Sequence, residues 1–299
     1  MNRIVECIPN FSEGKRKEVI DEIVGEVKKA KGVKLLDVES DADHNRSVVT
    51  FIGNPEAVAE AAFLATKKAS ELIDLNMHKG EHPRIGAMDV IPFVPISDVT
   101  MEECVKLARK VGKRIADELG IPVYFYEAAA TCSARANLAD IRKGEYEGLK
   151  KEVETKPERK PDCGPAKLHP KAGATVVGAR EPLVAFNVNL GTSDIEIAKK
   201  IARAVRFSNG GLKCVKAKGF EIKNRGIVQV SMNLTNYKET PIFRVFEMVR
   251  NEADRYGVPI VGSEVIGLVP LDAMVDVADF YLKLENFKKN QILETRLRE

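Results

Sequence analysis

The spacing of apolar residues changes period several times along the chain. Val19, Ile20, Ile23, Val24 and Val27 recur three and four residues apart. That spacing puts them on one face and predicts a helix over 15–31, stopped by Gly32. β-rich runs at 4–11, 33–39 and 47–52 predict strands, the last two joined by the polar loop 40–46. Pro55 suits the first turn of a second helix running to about residue 75. A buried strand at 86–95, a helix at 101–119 and a short strand at 122–126 follow. The second half repeats the order. A strand at 183–190 precedes a helix at 194–206, with Ala198, Ile201, Ala202 and Val205 on one face. Strands at 212–218 and 226–234, a helix at 241–256 and a strand at 259–266 come next, and helices close the chain.

Each half therefore runs strand-helix-strand-strand-helix-strand, the split βαβ arrangement. The expected fold class is α/β (α+β), with two ferredoxin-like subdomains at 1–178 and 179–299. Each is expected to be a mixed sheet with helices on one face. The halves align weakly: VECIPN at Val5 faces VAFNVN at Val184, and Asn45-Arg46 faces Asn224-Arg225. A duplication accounts for this, and so does shared α/β physics. Between the halves, 150–173 carries Pro157, Pro161, Pro165 and Pro170, many lysines and arginines, and few large apolar residues. That is linker composition, although its length and the run Asp162-Cys163-Gly164-Pro165-Ala166-Lys167 suit a binding loop better than a tether.

Composition then excludes several classes. The 299 residues are 44% hydrophobic, which suits a globular protein of about two domains. The net charge is +3 with acids and bases interspersed, so there is no nucleic-acid footprint. No apolar run reaches the ~20 residues of a membrane span, and no secretory leader pattern opens the chain. Five widely spaced cysteines without a C-x-x-C suit reduced thiols and a cytoplasmic location.

Histidine is scarce: His44, His78, His82 and His169. His78 and His82 share the segment His78-Lys79-Gly80-Glu81-His82-Pro83-Arg84-Ile85-Gly86. Their i,i+4 spacing would suit a metal on a helix, but Lys79 stands where a zincin needs glutamate. Gly80 and Pro83 also break the helix, so no metal is expected. What remains is a titratable imidazole, two cations and a carboxylate on a Gly/Pro-shaped loop leading into a buried strand, a usual setting for an active site. Asn10, Asn45 and Arg46 are weaker candidates that also suit plain turn roles. Gly262 and Gly267 lack the lysine of a phosphate loop, and neither G-x-G-x-x-G nor G-x-S-x-G occurs. Cys132 would need a neighbouring histidine to act as a nucleophile.

The segments Val5–Gly14 (VECIPNFSEG), His78–Gly86, Asp89–Phe93, Gly144–Glu147, Gly173–Thr175 and Ala185–Leu190 resemble the glutamate formimidoyltransferase (formiminotransferase) family. So do Val261–Ser263 and Gly267–Pro270. The resemblance runs from Val5 to about Tyr281. It implies a two-subdomain α/β fold, a homodimer, and transfer of the formimino group from N-formimino-L-glutamate to N5 of tetrahydrofolate, a step of histidine degradation. It puts the catalytic histidine on His82. It puts folate on the segment between the subdomains: Gly164, Pro165, Ala166, Lys167, Leu168, His169, Pro170, Lys171, Ala172 and Gly173. Lys167, His169 and Lys171 depart from the hydroxyl and aromatic residues usual there. The stand-alone form is expected, without the cyclodeaminase domain fused to vertebrate members.

The implied chemistry suits these residue types. Neutral N5 attacks a cationic amidine carbon, and the adduct carries its proton on the wrong nitrogen. A histidine titrating near neutrality could take that proton and hand it to the departing glutamate amine. Asn10, Asn45, Arg46, Lys79 and Arg84 are the expected substrate contacts, and Lys167 another cation for carboxylates. Tetrahydrofolate is the expected co-substrate, with no metal and no nucleic-acid or membrane partner. Two alternatives remain: formyl transfer between formylglutamate and folate, and RNA binding by tandem ferredoxin-like units. The second is disfavoured by 6% aromatics and no aromatic cluster in the central strands.

Overall fold

A computed structural model describes residues 3–297. The outermost positions of the expected subdomains, 1, 2, 298 and 299, lie outside the described residues. The chain forms two compact units, Met1–Arg180 and Glu181–Glu299.

The first unit contains β1 (Ile4–Cys7), β2 (Asn10–Phe11), α1 (Lys17–Lys29), β3 (Val33–Asp41), β4 (Arg46–Gly53) and α2 (Pro55–Leu72). It continues with β5 (Met88–Ser97), α3 (Met101–Leu119), β6 (Val123–Glu127), α4 (Leu138–Ile141), α5 (Glu145–Glu152) and β7 (Thr175–Ala179). The single strand expected at 4–11 is split at Ile8-Pro9, because proline has no N–H to give a ladder. β1 and β2 both lie between β4 and β5, and β3 flanks β4. Counted as one strand, they give the 4-1-3-2 order of a ferredoxin-like sheet, antiparallel throughout. β7 and β6 then extend it in parallel beyond β5.

Strand alternation sorts the side chains. In β4, Ser47, Val49 and Phe51 are buried, while Arg46, Val48 and Ile52 on the other face are less so. Phe11 and Cys7 share the first face, and Asn10 sits opposite Val48 and Val90 on the second. α1 is amphipathic, burying Val19, Ile20, Ile23, Val24 and Val27 as its spacing predicts. α3 begins at a capping box in which Thr100 Oγ1 accepts from Glu103 N and Glu103 accepts from Thr100 N.

The second unit holds β8 (Val184–Leu190), α6 (Ile195–Val205), β9 (Val215–Ile222), β10 (Ile227–Leu234), α7 (Ile242–Arg255), β11 (Ile260–Ile266), α8 (Leu271–Leu282) and α9 (Leu293–Arg296). Its order, β11-β8-β10-β9, is again 4-1-3-2. Every neighbouring pair is antiparallel, so this sheet is not the mixed one expected. The reason is topological. The two strands joined through each crossover helix run parallel but are separated by an antiparallel strand. Among the described residues, parallel neighbouring strands occur only in the β5-β7-β6 extension of the first unit.

A border at 178/179 would cut the last residue from β7, which the structure keeps whole within the first unit. Nor is 150–173 a tether. Val153, Leu168 and Ala172 are buried in the first core, beside Tyr146 and Leu149 of α5. Asp162 N and Cys163 N both donate to Val123 O on β6. Among the described residues no helix is long and apolar enough to cross a membrane.

Candidate active site

The site is built where the 78–86 loop meets the tip of the β3–β4 hairpin. Asn45 occupies the tip at φ +49 and joins three segments. Its Oδ1 accepts from Gly14 N at 2.9 Å, and its Nδ2 donates to Lys79 O at 2.9 Å. Gly80 must be small, since a Cβ there would lie 2.3 Å from His44 O. The VECIPNFSEG segment braces the loop from below. Ser12 Oγ donates to Gly86 O at 2.7 Å, and Ser47 Oγ to Glu13 O at 2.5 Å. Burial pushes the Glu13 carboxyl up. Hydrogen bonds from Arg16 N and Lys15 N, with the Arg16 side chain, overcome it and leave the group below its usual range.

Three of the four histidines gather here. His78 has both ring nitrogens occupied: Nε2 donates to Asn45 O at 2.9 Å, and Nδ1 accepts from Arg84 Nε at 3.1 Å. Burial holds its pKa down, opposed by the bond to Asn45. His44 is exposed, with Nδ1 3.0 Å from Asp41 Oδ2, and its ring lies edge-on to His82 at 6.5 Å between centroids. His82 differs from both. Among the described residues neither of its ring nitrogens has a hydrogen-bond partner, so they are open to a ligand.

Two guanidinium groups surround His82. Burial and then the charges of Arg46, Arg142, His44 and His78 lower its pKa to about 2. This environment favours the neutral imidazole and opposes titration near neutrality. Burial followed by Arg142 brings Arg46 down to about 10. Arg46 donates to Asn10 Oδ1, while Arg142 pairs with Asp89 Oδ2. The other oxygen of Asp89 accepts from Ile85 N at 2.7 Å.

Arg84 has a different environment. It donates from Nη1 to Glu145 and Glu147 at 2.9 Å each, and from Nη2 to Glu147 Oε1 at 2.7 Å. Burial lowers its pKa, but Glu147 and Glu145 raise it further. Its fork thus grips carboxylates, as its chemistry suggests, but these belong to α5. Lys79 is exposed.

The expected folate segment runs from one side of the parallel extension to the other. Gly164 (φ +87) packs against Ala116 and the Ile121 carbonyl, and Pro165, Ala166 and Lys167 are exposed. Leu168 is buried. His169 and Gly173 exchange backbone hydrogen bonds, and His169 Nδ1 accepts from Ala172 N at 2.9 Å. This folds His169 to Gly173 into a closed loop. Ala172 O accepts from Ala87 N, Lys171 O from Leu75 N and Pro170 O from Asn76 Nδ2. The second half of the segment is thus fastened directly behind the His82 loop.

The structure brings His82, Arg46, Asn10 and Asn45 together, places Arg84 in an internal clamp, and fixes 169–173 behind the loop. Arg142, Asp89 and His44 were missed. The Arg142–Asp89 pair spans 53 positions, and no sequence signal links residues so far apart. Glu145 and Glu147 lie in the Gly144–Glu147 motif, whose sequence gives no sign of Arg84 as their partner.

Residues 4–180 match the formiminotransferase domain, N-terminal subdomain, and residues 185–296 match the formiminotransferase domain. A glutamate formimidoyltransferase of Streptococcus pyogenes serotype M1 is 53% identical over 99% of each chain. One of Thermoplasma acidophilum is 51% identical over 98% of this chain and 97% of its own. The formimidoyltransferase-cyclodeaminase of Gallus gallus is 48% identical over 95% of this chain and 53% of its own. With both halves matched and two relatives above 50% identity along almost their whole length, the chain belongs to the formiminotransferase family.

Proposed function

We propose that this protein transfers the formimino group of N-formimino-L-glutamate to N5 of tetrahydrofolate, releasing L-glutamate and 5-formimidoyltetrahydrofolate. The observation that carries the reading is the near-full-length identity with two proteins named glutamate formimidoyltransferase.

N5 attacks the amidine carbon and a C–N bond forms, while the C=N electron pair moves to the imino nitrogen. His82, a neutral imidazole whose ring nitrogens have no hydrogen-bond partner among the described residues, takes the proton from N5. It then gives that proton to the glutamate nitrogen as the old C–N bond breaks. One proton is taken and one returned, so the enzyme ends as it began. Holding both substrates together supplies much of the remaining acceleration. Arg46 and Lys79 are the cations left for substrate carboxylates, with Lys167 on the folate segment. Asn10 and Asn45 shape the site, and Arg84 positions it through His78. Residues 164–173 carry tetrahydrofolate. The reading includes a homodimer and a cytoplasmic address.

The test is turnover of N-formimino-L-glutamate with tetrahydrofolate, following 5-formimidoyltetrahydrofolate and glutamate. Formation of both supports the reading. Activity with formylglutamate alone replaces it with formyl transfer.

A further inference from the structure

The two guanidinium groups beside His82 are not fully hydrogen-bonded. Arg46 on β4 and Arg142 just after α4 both act on His82, and each lies within the other's field. Asp89 pairs with Arg142 and spends its other oxygen on Ile85 N, while the carboxylates of Glu39 and Asp41 act on Arg46 through their charge and make no hydrogen bond to its guanidinium. Arg46 meets only the neutral amide of Asn10. The Nε atoms of both arginines are buried without a hydrogen-bond partner. Buried guanidinium donors left unpaired are costly, and a second like charge close by adds to that cost. An arriving anion would satisfy donors and charge together, and the guanidinium fork fits a carboxylate.

We propose that Arg46 and Arg142 together form a cradle for the α-carboxylate of the amino-acid donor, beside His82. This rests on the proposed formimino transfer. His82 must reach the nitrogen that leaves with glutamate, and the α-carboxylate is attached to the same carbon as that nitrogen. The side-chain carboxylate is two methylenes further away. The cradle therefore sets specificity for α-amino-acid donors. It also couples binding to chemistry, because the bound carboxylate screens Arg46 and Arg142 from His82. With those two charges screened, the imidazole becomes a better base when the donor arrives.

The experiment follows the ring nitrogens of His82 by NMR in the full chain, titrated with L-glutamate, L-2-aminobutyrate or 4-aminobutyrate. L-Glutamate and L-2-aminobutyrate, which carry an α-carboxylate, are expected to shift the resonance and raise its pKa. 4-Aminobutyrate is expected to do neither. Arg46→Gln and Arg142→Gln should each weaken L-glutamate about tenfold or more, as loss of a charge-assisted contact does. Arg142→Lys keeps the pairing with Asp89 and should fall between. Arg142→Gln removes a partner of buried Asp89, so thermal melts accompany each variant, and Arg46→Gln decides if Arg142→Gln does not fold. An equal response to 4-aminobutyrate, or a folded Arg46→Gln that binds like the parent, overturns the cradle. A parent that binds L-glutamate at His82 but does not turn over N-formimino-L-glutamate leaves the cradle standing and removes the proposed function.

Discussion

The two units share one topology and divide the chemistry unequally. Both contain a 4-1-3-2 sheet, and in both an Asn-Arg pair lies near the start of the third strand, Arg46 opening β4 and Arg225 two residues before β10. In the first unit that pair is Asn45-Arg46, wired to Gly14, Lys79 and Asn10 beside His82. In the second it is Asn224-Arg225, exposed in a short turn ending at Gly226. The ferredoxin-like core is therefore not what makes the site. The first unit adds the 78–87 loop before its fourth strand, and the 128–173 segment that returns to place β7. Those additions convert an ordinary hairpin tip into part of a cationic pocket.

The largest effect that would sharpen this contrast is loss of His82. His82→Ala should lower turnover by ~10²–10⁴-fold while tetrahydrofolate affinity barely changes, because a proton shuttle acts in the transition state. Steady-state kinetics with an equilibrium folate titration measure both. Full turnover in the variant would remove His82 from the mechanism.

Next comes packing behind the loop. A Cβ on Gly86 would lie 1.7 Å from Ala174 O, at the seam joining the loop to the start of β7. Gly86→Ala should cost about 3 kcal/mol, the upper part of the usual overpacking range. Gly226 of the second unit has φ +61 but open space around it. Gly226→Ala should cost only about 1 kcal/mol, from the left-handed backbone alone. Denaturant melts of both variants check the ratio, and equal losses would show that the 78–87 seam is no tighter than the second hairpin.

These additions are also where the sequence was hardest to read. α3 is found at the expected 101–119, because its apolar residues keep helical spacing against a clear cap and Gly120. The segment 150–173 gave no such signal. Its anchors, Val153, Leu168 and Ala172, are too far apart to form a period, and the prolines and lysines between them have the composition of a linker. β7 is five residues long and wholly buried, so it has no alternation to detect. In the site, the loop carrying His82 was legible from its own residues because chemistry was concentrated in one short stretch. The partners supplied by Arg142 and Asp89 come from distant segments and become neighbours only through the fold. Arg84 shows a subtler limit: its preference for carboxylates was evident, but not that α5 supplies them.

A smaller effect concerns acid. His82 is neutral in the folded chain, with a pKa of about 2 against 6.5 for the free side chain. Between those values the unfolded chain binds the extra proton, so stability falls as pH drops below about 6.5. Melting temperatures between pH 7.5 and 5 should decline in the parent, and His82→Ala should flatten that decline before carboxylates titrate. Parallel curves for parent and variant would mean the pocket does not hold His82 neutral.

The smallest expected effect tests the comparison itself. Arg225 follows an asparagine in the second hairpin as Arg46 does in the first, but it stands in the exposed turn two residues before β10. Exposed side chains outside a cap, core or network usually change stability by no more than about 0.5 kcal/mol. Arg225→Gln should therefore leave the melting temperature and kcat/KM for N-formimino-L-glutamate within error of the parent. Arg46→Gln, the same chemical change in the Asn-Arg pair of the first unit, should raise KM for that donor while leaving KM for tetrahydrofolate in place. The pair separates inheritance from use. If both variants lose donor affinity, the second hairpin also serves the reaction, and the division of labour between the units is wrong. If only Arg46→Gln does, the two Asn-Arg pairs are a likeness of sequence, and the function lies in what the first unit built around its copy.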